Sequence, residues 1–201
     1  MTERNIGRFR KYVQDMTHAV GRLGADEAAM MEEAERLLVD LVTHDDWLPD
    51  EFAVPFAESY RQYLLYCDPL ERFSVVSFVW GPGQKTPVHD HTVWGLVGMM
   101  RGAEQCEEYN GVTVGRPFQP SGTHRMEPGQ VDRVSPTIGD IHVVSNACKD
   151  RPSISIHVYG ANIGAIRRHV FDAATGNARE FISGYHNKVM PNLWDRSQEP
   201  R

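Results

Sequence analysis

Two hydrophobic periods divide the chain. Phe9, Tyr12, Val13, Met16, Val20 and Leu23 recur at i, i+3, i+4, i+7 spacing, which lines one face of a helix, and the pattern stops near Gly24. Asp26 stands where an N-cap is wanted, ahead of a second helix with Met30, Ala34, Leu37, Leu38 and Leu41 on its apolar face. After Pro55, the segment 56–66 predicts a third helix. Faces of this kind need a further layer to cover them, so packing is their expected role.

From Phe73 the period changes to that of strands, first in a Val- and Phe-rich run over 73–80 closed by Gly81-Pro82-Gly83. Further strands are predicted over 92–100, 103–109, 112–114, 123–126, 141–145 and 153–159. Turn signals separate them, among them Asn110-Gly111, Pro128-Gly129 and the stretch from Pro136 to Gly139. Short strands at this spacing predict a sandwich or a small closed barrel of the jelly-roll type. Segments 169–172 and 179–182 flank Ala-Ala-Thr-Gly-Asn as a late hairpin, and Trp194 is expected to anchor a tail with little pattern of its own. No internal repeat or low-complexity linker interrupts the chain. The expected organisation is therefore one domain over 1–201, with a helical portion (1–66), a barrel with its hairpin (67–183) and a tail (184–201).

Composition narrows the partners. The formal net charge of -6, with no basic stripe against it, argues against nucleic acid and anionic membrane. Cys67, Cys106 and Cys148 are odd in number and widely spaced, forming neither a disulfide framework nor a CxxC site. The N-terminus has no apolar core of a signal peptide, and no run approaches membrane-spanning length. A cytoplasmic location is the expectation.

The chemistry concentrates at 83–102. His89 and His91 stand one residue apart, and on a strand such positions share a face, so both imidazoles can converge on one point. Asp90 between them points the other way and is not counted as a ligand. Gly83, His89, His91 and Gly102 fit the first cupin motif, G-x5-H-x-H-x3-E-x6-G, with Gly95 in the Glu slot. Gly129, Pro136, Gly139, His142 and Asn146 meet the second, G-x5-P-x-G-x2-H-x3-N, with two gaps one residue longer. An isolated HxH is a weak signal; both motifs in order point to a three-histidine metal site from His89, His91 and His142. The fold class expected is mainly β, a cupin (jelly-roll) β-barrel with N-terminal α-helices packed against it. Three neutral imidazoles leave a divalent ion its full charge for anionic ligands, and suit Fe, Zn, Cu or Ni.

Ser155, His157 and Tyr159 alternate with Ile154, Ile156 and Val158, so the three polar side chains share a face. That face is either solvated or, inside a barrel, a hydrogen-bonded row that brings the phenol towards the metal. Arg167 and Arg168 follow, either as solvated surface groups or as a carboxylate anchor. His18, His44, His124, His169 and His186 lie outside any motif and read as surface or packing residues.

With these residues in place the chain resembles a thiol dioxygenase of the cysteine dioxygenase family. The resemblance runs from about 60 to 168 and rests on His-Asp-His-Thr at 89–92, Gly-Asp-x-His at 139–142 and Ser-Ile-His-Val-Tyr at 155–159. It implies a cupin with non-haem Fe(II) held by three histidines, adding both atoms of O₂ to a thiol to give a sulfinate. Animal cysteine dioxygenases carry a cysteine shortly after the HxH that crosslinks to the active-site tyrosine; here that region is Gly95-Leu96, which implies an uncrosslinked Tyr159. They also place an arginine for the substrate carboxylate in a Tyr-x-Arg segment, where Tyr60-Arg61-Gln62 offers Gln62, with Arg61 next door. This pattern is similar to the bacterial 3-mercaptopropionate dioxygenases, in which a later arginine, matching Arg168, takes the carboxylate. The resemblance therefore implies Arg168 and Gln62 at the substrate, Ser155, His157 and Tyr159 as the catalytic row, and 3-mercaptopropionate or cysteine with O₂ as reactants. Other readings of the same histidines stay open: a zinc-dependent hydrolase or lyase, a non-enzymatic sensor of small acids, or a structural site, which would ordinarily be closed by four ligands.

Overall fold

The structure, a computed structural model, describes residues 5–196. Helices α1 (Ile6–Leu23) and α2 (Glu27–Val42) bury the faces that their periodicity predicts. Asp26 caps α2, its side chain accepting from the Ala29 amide at 3.1 Å. Among the described residues eleven strands follow: β1 (Arg61–Cys67), β2 (Ser74–Trp80), β3 (Val88–His89), β4 (Gly95–Arg101), β5 (Glu104–Glu108), β6 (Gly122–Met126), β7 (Val131–Val134), β8 (His142–Asn146), β9 (Ser153–Tyr159), β10 (Arg168–Phe171) and β11 (Ala178–Phe181). They form two antiparallel sheets, ordered β1-β2-β9-β4-β7 and β11-β10-β3-β8-β5-β6. The fold is a cupin barrel, mainly β, with two helices covering one sheet.

That covering decides which face is polar. Leu96 and Met100 of β4 and Ile154, Ile156 and Val158 of β9 join Phe9, Met16, Leu38 and Leu41 in one apolar cluster. The backbone of β4 comes so close to α2 at Gly98 that a Cβ there would lie 2.9 Å from Leu38 Cγ. The alternate residues of β9 are thus turned towards the opposite sheet, and every residue of the strand is buried. Ser155, His157 and Tyr159 form an interior row, not a solvated one.

The helix predicted over 56–66 is a correction. A 3-10 turn (Asp50–Phe52) precedes this segment, and 61–67 is strand β1, paired antiparallel with β2. A register shift between Leu64 and Tyr66 leaves Gln62 and Leu65 as the buried positions, three apart. A bulge in a strand has produced helical spacing. The helical portion accordingly ends with α2 and this turn, not at 66. The strand expected at 112–114 is a turn, with Gly111 and Gly115 at φ of 68° and 81°. The short strands β3 and β7 had no periodicity long enough to predict them. In the tail, Leu193 is buried against the helices while Trp194 is 58% exposed, so the anchor is the neighbour of the expected residue. Among the described residues no helix is long and apolar enough to cross a membrane.

Candidate metal centre

The end of β3 and the start of β8 pair at His89 and His142, which sets two imidazoles side by side across the sheet. His91 lies on the turn that leaves β3. The three ring centroids are 4.8 Å apart in every pair, and their ligand nitrogens lie within 4.8 Å of one another. Each ring is held through Nδ1: His89 against Pro87 O at 3.1 Å, His91 against Asp140 Oδ1 at 3.0 Å, and His142 against Cys106 Sγ at 3.7 Å. The Nε2 atoms are left for a common ligand, and His91 Nε2 is buried with no partner. Such an orphaned polar atom is costly unless something fills the place, and a cation would do so. Burial, then the neighbouring His91, pulls His89 down to about 3 and His142 well below the usual imidazole range. Neutral imidazole is the ligating form. The donor set fits a divalent metal.

The support around the triangle is built from carboxylates. Asp140 accepts from the His91 amide at 3.1 Å and the Thr92 amide at 2.9 Å, holding a tight turn in which Thr92 has φ of 61°. Asp90 is directed away from the triangle, as alternation predicts, and accepts from the amide of His169 at 2.7 Å. That bond fixes the start of β10, the strand that carries Arg168.

Across the barrel, Ser155 Oγ meets His157 Nε2 at 2.9 Å and His157 Nδ1 meets Tyr159 Oη at 2.8 Å. Tyr159 stacks on His91, with centroids 5.4 Å apart, so the row ends beside the histidine triangle. Burial raises the Tyr159 phenol above its ordinary range and lowers His157, so both are neutral. Gly95 pairs with Tyr159 in the sheet, and a Cβ added at Gly95 would lie 2.7 Å from Tyr159 Cδ1.

Arg168 is 3% exposed, and its Nη2 donates to Ser183 Oγ at 2.7 Å. Gln62 is 5% exposed and donates to the same oxygen at 3.1 Å and to Gly184 O at 2.8 Å. Arg61 instead lies over the Phe56 ring, 3.6 Å from its centroid, and Arg167 pairs with exposed Glu180. Arg168 Nε is buried without a partner, and its charge acts on Tyr159, His89 and His157. The structure therefore joins Ser155, His157 and Tyr159 to the histidine triangle through His91, and Gln62 to Arg168 through Ser183, while Arg61 and Arg167 have other partners.

Two residues of this neighbourhood escaped sequence reasoning. Ser183 lies just before the patternless tail, where nothing marks it. Glu104 is fully buried, neither carboxylate oxygen makes a hydrogen bond of ordinary geometry, and burial pushes its carboxyl up to about 8, with the nearby Ser155 and Ser153 hydroxyls pulling weakly the other way. Alternation along β5 places Glu104 with Cys106 on the inward face, and that was the available signal.

Residues 51–172 match the family model described as Cysteine dioxygenase type I. A curated relative, cysteine dioxygenase type 1 of Danio rerio, is 22% identical over 193 residues, covering 93% of this chain and 88% of that protein. A Klebsiella pneumoniae protein with a double-stranded β-helix domain is similar at 18% identity with TM-score 0.45, over 70% of this chain and 97% of that one. A cupin-like protein of Thermotoga maritima is similar at 18% identity with TM-score 0.40, over 53% and 76% respectively.

Proposed function

The chain belongs to the cysteine dioxygenase type I family, and from that premise we propose that it is a non-haem iron thiol dioxygenase acting on a small thiol carboxylate, 3-mercaptopropionate before cysteine. The observation that carries the reading is the buried Arg168, its Nε unpartnered, whose charge reaches the buried histidine triangle at His89. In this reading His89, His91 and His142 hold Fe(II). When bound, the iron supplies the centre at which thiol and O₂ are brought to react, giving a sulfinate.

The chain's own residues have separate tasks. Arg168 receives the substrate carboxylate at its free Nε, while Ser183 Oγ holds the neighbouring Nη2. Gln62 braces the same hydroxyl and adds no second positive charge, which matches an acid carrying one carboxylate. Tyr159 is oriented by this hydrogen-bonded row, which we read as running from Trp80 to the phenol. Trp80 Nε1 can only donate, and it reaches Ser155 Oγ at 3.3 Å. Ser155 then gives its proton to His157 Nε2, the neutral ring carries its own proton on Nδ1, and that proton faces Tyr159 Oη. The phenol proton is left free to donate to a polar atom of the ligand. Phe78 stacks on His157 at 4.1 Å between centroids and holds the ring in the row.

We place the protein in the cytoplasm, a reading supported by its three free cysteines. The test is oxygen uptake by the Fe(II)-loaded protein on adding 3-mercaptopropionate, with sulfinate identified by mass. Stoichiometric sulfinate, formed faster than from cysteine, is expected. If neither thiol yields sulfinate while iron is bound, the dioxygenase reading falls.

A further inference from the structure

Behind His142, on the side away from the histidine triangle, a second group of metal-ligating side chains comes together. Cys106 of β5 and His124 of β6 are direct partners across one sheet, and Asp132 of β7 reaches them from the other. Their ligand atoms lie within 4.8 Å of one another. His124 Nε2 meets Asp132 Oδ2 at 2.6 Å, and His124 Nδ1 lies 3.5 Å from Glu108 Oε1. Cys106 is 4% exposed, whereas His124 and Asp132 are half-buried. A cavity of about 410 Å³ opens on the group, lined in part by Cys106, Glu108, Asp132 and His142.

We propose that Cys106, His124 and Asp132 form a second site for a borderline divalent cation of the zinc type, separate from the three-histidine site. The donor set is one sulfur, one imidazole and one carboxylate, and Zn²⁺ takes such mixed ligands in tetrahedral sites. A water from the cavity completes four. Charge also balances: thiolate and carboxylate cancel the ion's two charges, so the half-buried site carries none in excess. The surroundings suit a cation, because Glu108 borders the same cavity as Cys106 and Asp132. On binding, the thiol releases its proton to solvent. His124 binds as the tautomer with its one ring proton on Nδ1, towards Glu108, which leaves Nε2 for the metal. No ligand is shared with the triangle, so the site stands whatever the three histidines hold. Cys106 Sγ is, however, the atom that faces His142 Nδ1 at 3.7 Å, so occupancy there reaches the triangle through one hydrogen bond.

Cobalt(II) distinguishes the two sites, since three imidazoles cannot give a thiolate-to-cobalt charge-transfer band. We expect the full-length protein, its histidine site preloaded with Fe(II) under argon, to develop that near-ultraviolet band on titration with cobalt chloride, saturating at one equivalent. Zinc chloride should bleach it. Cys106→Ser should lack the band, and Asp132→Asn, changed at a half-exposed position that leaves the fold intact, should weaken cobalt binding by roughly tenfold or more. No band in the wild type, a band that survives in Cys106→Ser, or unchanged affinity in Asp132→Asn would overturn the proposal.

Discussion

Gly95 and Tyr159 face each other across β4 and β9 with no room for a side chain between them. A Cβ on Gly95 would lie 2.7 and 2.9 Å from two carbons of the Tyr159 ring and 3.1 Å from Val134 Cγ2. The ring cannot swing aside cheaply, because it is buried and its hydroxyl is bonded to His157 at 2.8 Å. Gly95→Ala is therefore expected to lower stability by about 1–3 kcal/mol through overpacking. It should also reduce turnover, because the phenol must leave its place beside His91. Urea unfolding and oxygen uptake, measured together, check this; full activity in Gly95→Ala would show that the position of Tyr159 does not matter.

Arg168 and Arg61 offer a second contrast. The first is buried with Nε free; the second is spread over Phe56 on the outside of β1. Arg168→Ala should weaken kcat/KM by about 2 kcal/mol or more, roughly thirtyfold, as expected for losing one member of a buried charge pair with a ligand. Arg61→Ala should stay within about twofold, in line with a half-buried charge that stacks on Phe56. Equal losses in the two variants would move the carboxylate away from Arg168.

The same contrast shows what the sequence could and could not carry. His89, His91 and His142 were legible because the turn residues between strands are fixed by backbone chemistry, and glycine and proline mark them. The Ser155-His157-Tyr159 row was legible as a shared face, but not as an inner face. Which side of β9 is interior depends on where α1 and α2 dock, and that is a tertiary fact. Gln62 lies on a strand whose bulge disguised its period as helical. Ser183 was invisible: its role comes from two long side chains meeting on one hydroxyl, from strands far apart in sequence.

Asp140 holds His91 through backbone and ring together. Burial alone would raise its carboxyl, yet the bonds from His91 and Thr92 keep it below the ordinary carboxylate range. Asp140→Asn keeps the shape but can no longer act as a charged acceptor for both amides and the imidazole. Metal affinity of the triangle should fall by roughly ten- to a hundredfold, as is usual when a ligand histidine loses its outer carboxylate. Competition with a coloured chelator measures it, with circular dichroism as the check on folding. Unchanged affinity would confine Asp140 to the turn.

Glu104 makes stability depend on pH in a direction opposite to that of most paired carboxylates. It is fully buried and titrates near about 8 in the folded chain, against 4.5 for the free side chain, with burial as the main cause. Below 4.5 both states hold the proton, and the fold carries no penalty from this group. Between 4.5 and about 8 the folded chain keeps a proton that the unfolded chain has lost, so unfolding is increasingly favoured as pH rises. Above that window the penalty is constant. Glu104→Gln keeps the volume and removes the titration. Its stability relative to wild type should therefore grow by about 2–4 kcal/mol between roughly pH 5 and pH 8, since one proton held in the fold alone costs about 1.4 kcal/mol for each pH step crossed. Urea unfolding at a series of pH values gives the two curves. Parallel curves would mean that Glu104 finds a proton-independent partner in the fold and that its carboxylate is not isolated.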